Sequence, residues 1–183
     1  MLKQLTLAVL ASVVVAGCST MKVVEVDSTS GYFPGASKKA VVVKNVKTDL
    51  DARKSLILVP NGDFTGEMVR KIGYFDEVIN FEDLEKIIVQ HNLSDTVPSV
   101  SERIGINKAA KAYKAFLWIH WDTRKDGSKE YQQLVLTDAV TLDDYFVAET
   151  YLDYIWTGVN DQNNNYPAMH ALIDYIRENS KTF

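Results

Sequence analysis

Two short runs limit the folds open to this chain. SLILVP (Ser55 to Pro60) and AFLWIHW (Ala115 to Trp121) are apolar at odd and even positions alike. A strand sends successive side chains to opposite faces, so each run needs a sheet covered on both sides. AFLWIHW reads as a central strand, and Pro60-Asn61-Gly62 ends the other run with turn chemistry.

The flanking segments supply more strands and the covering helices. AVVVKNV (Ala40 to Val46) is a β-branched strand, and DEVIN (Asp76 to Asn80) is a shorter one. Asp63 to Ile72 predicts a short helix closed by Gly73. Asn80 is placed as an N-cap, with Glu82 and Asp83 in the first turn, where carboxylates favour the helix dipole. Phe81, Leu84, Ile87 and Ile88 then form one helical stripe. Val100 to Tyr113 is moderately helical, with Ala109, Ala110 and Ala112 permitting close packing. From Tyr131 the pattern changes to alternation, over Tyr131 to Thr137 and again over Phe146 to Trp156. Alternation of this kind is antiparallel behaviour, with one face buried and one wet. Phe146, Ala148, Thr150, Leu152, Tyr154 and Trp156 share one parity, and Glu149, Tyr151 and Asp153 the other. Pro167 opens a closing helix striped by Tyr166, Met169, Leu172, Ile173 and Ile176, running to about Asn179. The expected fold is α/β: a single two-layer or three-layer sandwich with a mixed sheet, an antiparallel hairpin near the C-terminus and a closing C-terminal helix.

The amino terminus carries an address. Met-Leu-Lys precedes LTLAVLASVVVA, an uncharged run of twelve residues (Leu5 to Ala16). As a helix it would be about 18 Å long, too short for a hydrocarbon core of about 30 Å. A basic start, a short apolar core and small residues describe a secretory signal peptide. Val15-Ala16-Gly17-Cys18 resembles the lipobox of bacterial lipoproteins, which implies that Cys18, the one cysteine, becomes the lipidated first residue. Residues 1–17 are thus expected to be a signal peptide, 18–38 a lipidated tether and 39–183 the α/β domain. By the same lipoprotein pattern, Ser19 after the cysteine implies the outer membrane. The domain is then expected to face the periplasm or the cell surface.

The order of elements in the domain resembles that shared by the TolB amino-terminal region, the curli-secretion lipoprotein CsgG and the synthase-activating lipoprotein LpoB. The matching stretches are LILVPNG, FDEVINFEDLEKIIVQ, YKAFLWIHWDTR and QLVLTDAVTLDDYFVAE, within residues 40 to 180. Two departures stand out: the helix after Pro60 is short, and Leu142-Asp143 replaces a glycine in the hairpin turn. The resemblance implies a role in envelope assembly, such as secretion or regulation of cell-wall synthesis.

Few residues suggest catalysis. The three histidines, His91, His120 and His170, form no local ligand pair. His120 and Asp122 lie two apart on a strand and so share a side, a pair suited to holding a metal; a packed histidine among Trp118, Ile119 and Trp121 is the plainer reading. Asp161, Asn163 and Asn165 match the first ligands of a calcium loop, but Tyr166 stands where glycine is required and Leu172 where glutamate is. A turn capping the last helix fits them better. The Asn61 to Gly66 turn has no P-loop lysine, and Asp63 and Glu67 would repel phosphate. The acids Asp76, Glu77, Glu82, Asp83 and Glu85 read as the solvated start of a helix. No catalytic residue and no cofactor is assigned. Tyr131, Tyr145, Tyr151 and Asp153 are candidates for an aromatic partner-binding patch.

The formal net charge of −4, without a basic block beyond pairs such as Lys38-Lys39 and Arg70-Lys71, excludes nucleic acid as the expected partner. The sequence therefore reads as an outer-membrane-anchored lipoprotein, a non-enzymatic protein-binding accessory in envelope assembly. The alternatives are a periplasmic hydrolase or metal-dependent enzyme using His120 and Asp122, and a subunit of a self-assembled envelope ring, that is, a homo-oligomer.

Overall fold

The computed structural model describes residues 23–60, 63–155 and 158–183. The expected signal peptide, Cys18, the Asn61-Gly62 turn and Trp156 lie outside the described residues. The elements run β1 (Val41–Asn45), β2 (Ile57–Leu58), α1 (Asp63–Ile72), β3 (Val78–Ile79), α2 (Phe81–Gln90), α3 (Arg103–Ala112), β4 (Leu117–Asp126), β5 (Lys129–Asp138), β6 (Asp144–Tyr151) and α4 (Tyr166–Asn179). They build the expected α/β fold, a mixed sheet of six strands in the order β1-β6-β5-β4-β2-β3. β3, β2 and β4 are mutually parallel, while β4, β5, β6 and β1 are antiparallel in turn.

Local chemistry accounts for the boundaries. The Asn80 side chain accepts from Asp83 N at 2.9 Å, and the Asp83 carboxylate accepts from Asn80 N, a reciprocal cap that starts α2. Gly73, at φ 73°, takes the left-handed turn that ends α1. Asn160 accepts from Asn163 N at 3.0 Å and sets a π-type turn (Asp161–Asn165) that leads into α4, with Pro167 in its first turn.

Two cores lie on opposite faces of the sheet. The inner face joins Ile57, Leu117, Ile119, Leu134, Leu136, Phe146 and Ala148 to Met68 and Ile72 of α1 and to Leu172, Ile173 and Ile176 of α4. On the outer face Leu56, Leu58, Ile79, Phe116 and Trp118 meet Leu84 and Ile88 of α2 and Ile106, Ala109 and Ala110 of α3. Each fully buried Leu, Ile or Phe contributes about 1.5–3 kcal/mol. The doubly apolar runs sit where the two cores meet back to back: Leu56, Ile57 and Leu58 of the first, and Phe116, Leu117 and Ile119 of the second, are fully buried.

The folded unit begins earlier than the expected boundary at residue 39. Val23 and Phe33 are buried in the inner core, 3% and 1% exposed. The Phe33 carbonyl accepts from His170 Nε2 at 2.8 Å, Tyr32 hydrogen-bonds Asp174, and Arg177 donates to Ser30 O at 2.8 Å. Residues 23–38 are therefore strapped onto α4. Burying Phe33 outweighs the turn-rich composition that suggested a loose segment. Among the described residues no helix is long and apolar enough to cross a membrane.

Candidate functional site

The two helices of the outer face cover only part of the sheet. Their core takes residues from β2, β3 and the start of β4 and none from β6 or β1. Among the described residues, the outer face of β5, β6 and β1, with the far part of β4, is an antiparallel half-sheet without a helix over it. Side chains of one parity project from it: His120, Asp122 and Arg124 of β4, Tyr131, Gln133 and Val135 of β5, and Val147, Glu149 and Tyr151 of β6.

Register brings the polar ones together. Tyr131 and Tyr151 are direct cross-strand partners, with ring centres 5.7 Å apart. Gln133 lies opposite Glu149 and donates to it at 3.0 Å. Arg124, opposite Tyr131, places its guanidinium carbon 4.3 Å from that ring's centre and donates twice to Glu149. These bonds from Arg124, with the one from Gln133, hold the Glu149 carboxyl below its ordinary pKa against the opposing effect of burial. Next along the same face Val135 and Val147 pair across the strands, 5% and 9% exposed. The result is a small aromatic platform, Tyr151 being 42% exposed, fixed from below by a charge-assisted network.

Of the four expected patch residues, the structure brings two together. Tyr145 turns to the inner side, packs against that core and donates its hydroxyl to Asp138 Oδ2 at 2.8 Å. Asp153 lies past the end of β6, where its carboxylate accepts from Ile155 N at 3.1 Å. Arg124, Gln133 and Glu149 complete the cluster; the sequence places Glu149 on the face of Tyr151 but not in the patch, and Arg124 lies beyond the expected end of β4 at Trp121. Gly127-Ser128, a two-residue hairpin signal, and the unbroken parity of Trp118, His120, Asp122 and Arg124 are the clues that extend β4 to Asp126.

His120 and Asp122 do share this face. The His120 ring stacks on Trp118 at 4.2 Å, and its Nε2 is 3.5 Å from the Thr137 hydroxyl. Burial first, then the nearby Arg103, lowers its pKa, against Asp144 and Asp122. Asp122 accepts from Thr123 N at 2.7 Å. Among the described residues no three His, Cys, Asp or Glu side chains come together as a metal centre. His91 tilts against Tyr113, and His170 carries the Phe33 carbonyl contact.

No family model, curated protein or solved structure matches the chain.

Proposed function

We propose that this chain is a lipid-anchored envelope accessory, acylated at Cys18 at the outer membrane, whose α/β domain docks a partner protein on its open half-sheet. The observation that carries the docking reading is the Tyr131–Tyr151 pair, ordered by Arg124 and Glu149 on a face that no helix covers among the described residues. Rigid aromatics bring large contact area at low conformational cost, and a half-exposed ionic support keeps them in place before a partner arrives. The anchor is supported by VVVAGCST and its distance from Met1, and the setting by the resemblance to envelope-assembly lipoproteins.

A photoreactive residue at position 151, activated in living cells, tests the docking face. The expected result is one dominant envelope protein crosslinked there and lost in a Tyr131→Asp background whose circular dichroism is unchanged. Crosslinks only to a second copy of the chain, or none, would reject a protein partner on this face. Fractionation of Cys18→Ala tests the anchor: release into the soluble fraction is expected, and retention in the membrane overturns it.

A further inference from the structure

Among the described residues β1 is an edge strand, paired to β6 on one side and to nothing on the other. Natural edges are usually short, charged or covered. This one carries three consecutive valines, Val41, Val42 and Val43, that are 61%, 45% and 51% exposed. No acidic residue occurs from Ser28 to Thr48, while Lys38, Lys39, Lys44 and Lys47 do, in a chain whose formal net charge is −4. Two of these lysines are engaged: Lys38 donates to Tyr151 O at 2.8 Å, and Lys47 pairs with Glu178 at 3.3 Å. Among the described residues Lys39 and Lys44 have no ion-pair partner. Beside the strand, on its inner side, lies a pocket of about 370 Å³ walled by Ala40, Val42, Asn45 and Tyr175; the carboxylates of Asp174 and Glu178 also line it, so it takes the apolar rather than the acidic side chains of an incoming strand.

We infer that β1 accepts an added strand from the partner, an extended acidic segment whose carboxylates alternate with small apolar residues. The inference rests on the docking reading above and names the partner's chemistry. The free edge supplies main-chain hydrogen bonds, as in other cases of strand addition. One set of incoming side chains extends the inner face towards the pocket at Val42. The other set lies beside Val41 and Val43 on the outer face. Acidic positions on the incoming strand meet Lys39 and Lys44. The same lysines argue against a second copy of β1 in this place, because self-pairing would set the two basic strands side by side. Val43, the extra residue of a bulge between Val42 and Lys44, further spoils a matched register with an identical strand.

The test is amide hydrogen exchange on the full chain in detergent, with a synthetic peptide of alternating Glu and Val as probe and a Lys/Val peptide as control. Exchange of the Val41–Asn45 amides that face away from β6 is expected to slow about tenfold with the acidic peptide, since those amides become bonded. The protection should weaken as salt rises, and disappear when Lys39→Glu and Lys44→Glu are combined, exposed changes that leave the fold intact. Equal protection by the Lys/Val peptide, or none at millimolar acidic peptide, overturns the inference. So does protection by anionic phospholipid vesicles alone, which would make a membrane surface the occupant. Protection in the chain alone at dimer mass would make the occupant a second copy and also overturns it. Tyr151→Asp should leave peptide protection unchanged. A failure at β1 with crosslinks at position 151 intact therefore removes the strand and keeps the docking face, and the opposite result does the reverse.

Discussion

The Arg124 guanidinium reaches across β5 to hold the Glu149 carboxylate with two hydrogen bonds, 2.9 Å from Nε and 2.8 Å from Nη2. The pair ties β4 to β6 over the intervening strand, and it is asymmetric: the arginine side chain is 39% exposed and the glutamate 8%. Truncating Arg124 therefore leaves a nearly buried carboxylate with only Gln133 to satisfy it. Arg124→Ala is expected to lower the urea midpoint, by less than loss of a fully buried pair would, because solvent screens the exposed partner. Adding Glu149→Gln should restore part of the loss, as the uncompensated charge is gone; urea midpoints of the two single variants and the double variant measure this. The sign with pH follows from the lowered Glu149 value. The pair's stabilisation is fully present above the usual glutamate range and is lost as pH falls through the folded value, so wild type and Arg124→Ala should converge in acid.

Gly105 lies in the first turn of α3, where helix propensity still favours alanine, by up to about 1 kcal/mol. The packing reverses that preference. An added Cβ would land on the Ser99 carbonyl oxygen and within 3.2 Å of the Val100 Cα, both main-chain atoms of the segment entering the helix. Gly105→Ala is accordingly expected to destabilise by about 2 kcal/mol or more, the range of overpacked cores. A thermal melt at or above the wild-type midpoint would show that the loop yields freely.

Much of the fold was legible because apolar pattern and capping agree with the final packing. The stripe of α2 faces the outer core as read, and the doubly apolar runs mark where helices lie on both sides. The misreadings share a physical origin: parity reports burial only while the chain remains a strand. β6 ends at Tyr151, and the alternation beyond it places Tyr154 and Ile155 in solvent, 63% and 83% exposed. Conversely, β4 continues through the polar Asp122 to Asp126 because pairing with β5, rather than burial, maintains it. Residues 23–38 have the composition of a linker, but one aromatic, Phe33, stacked on Tyr166 at 5.3 Å, secures the whole stretch. The candidate site was half legible for the same reason. Tyr131 and Tyr151 share a face in any antiparallel pairing of that parity, whereas Tyr145 stands next to a register shift at the start of β6 that turns it inward.

That irregular turn has its own consequence. Leu142, where the hairpin pattern expects glycine, sits at φ 64°. A left-handed leucine is strained by about 1–2 kcal/mol, partly offset on replacement by the greater freedom of glycine in the unfolded chain. Leu142→Gly should stabilise by about 0.5 kcal/mol, while the β-branched Leu142→Val should destabilise by about 1 kcal/mol, because its branch fits that region worse. The opposite order of melting temperatures would mean that the leucine side chain, rather than the backbone, governs this turn.

Two histidines give the fold a dependence on mild acid. Burial lowers the pKa of His120, with Arg103 adding to it and Asp144 and Asp122 opposing. Burial likewise lowers that of His170, opposed by the hydrogen bond to the Phe33 carbonyl and by Asp174. In both, the folded value lies below the unfolded one, so the unfolded chain binds more protons between the two values. Their contribution is complete above the ordinary histidine range, near 6.5, and declines as pH falls below it towards the folded values. Glu149 and Asp138, both held below their ordinary values, lose their contributions only further into acid, so the windows separate. The melting temperature is expected to fall between pH 7.5 and about pH 5, and His120→Gln and His170→Gln should each flatten part of that slope whatever they do to stability at neutral pH. A wild-type curve flat over this interval would show that folding lowers the pKa of neither histidine.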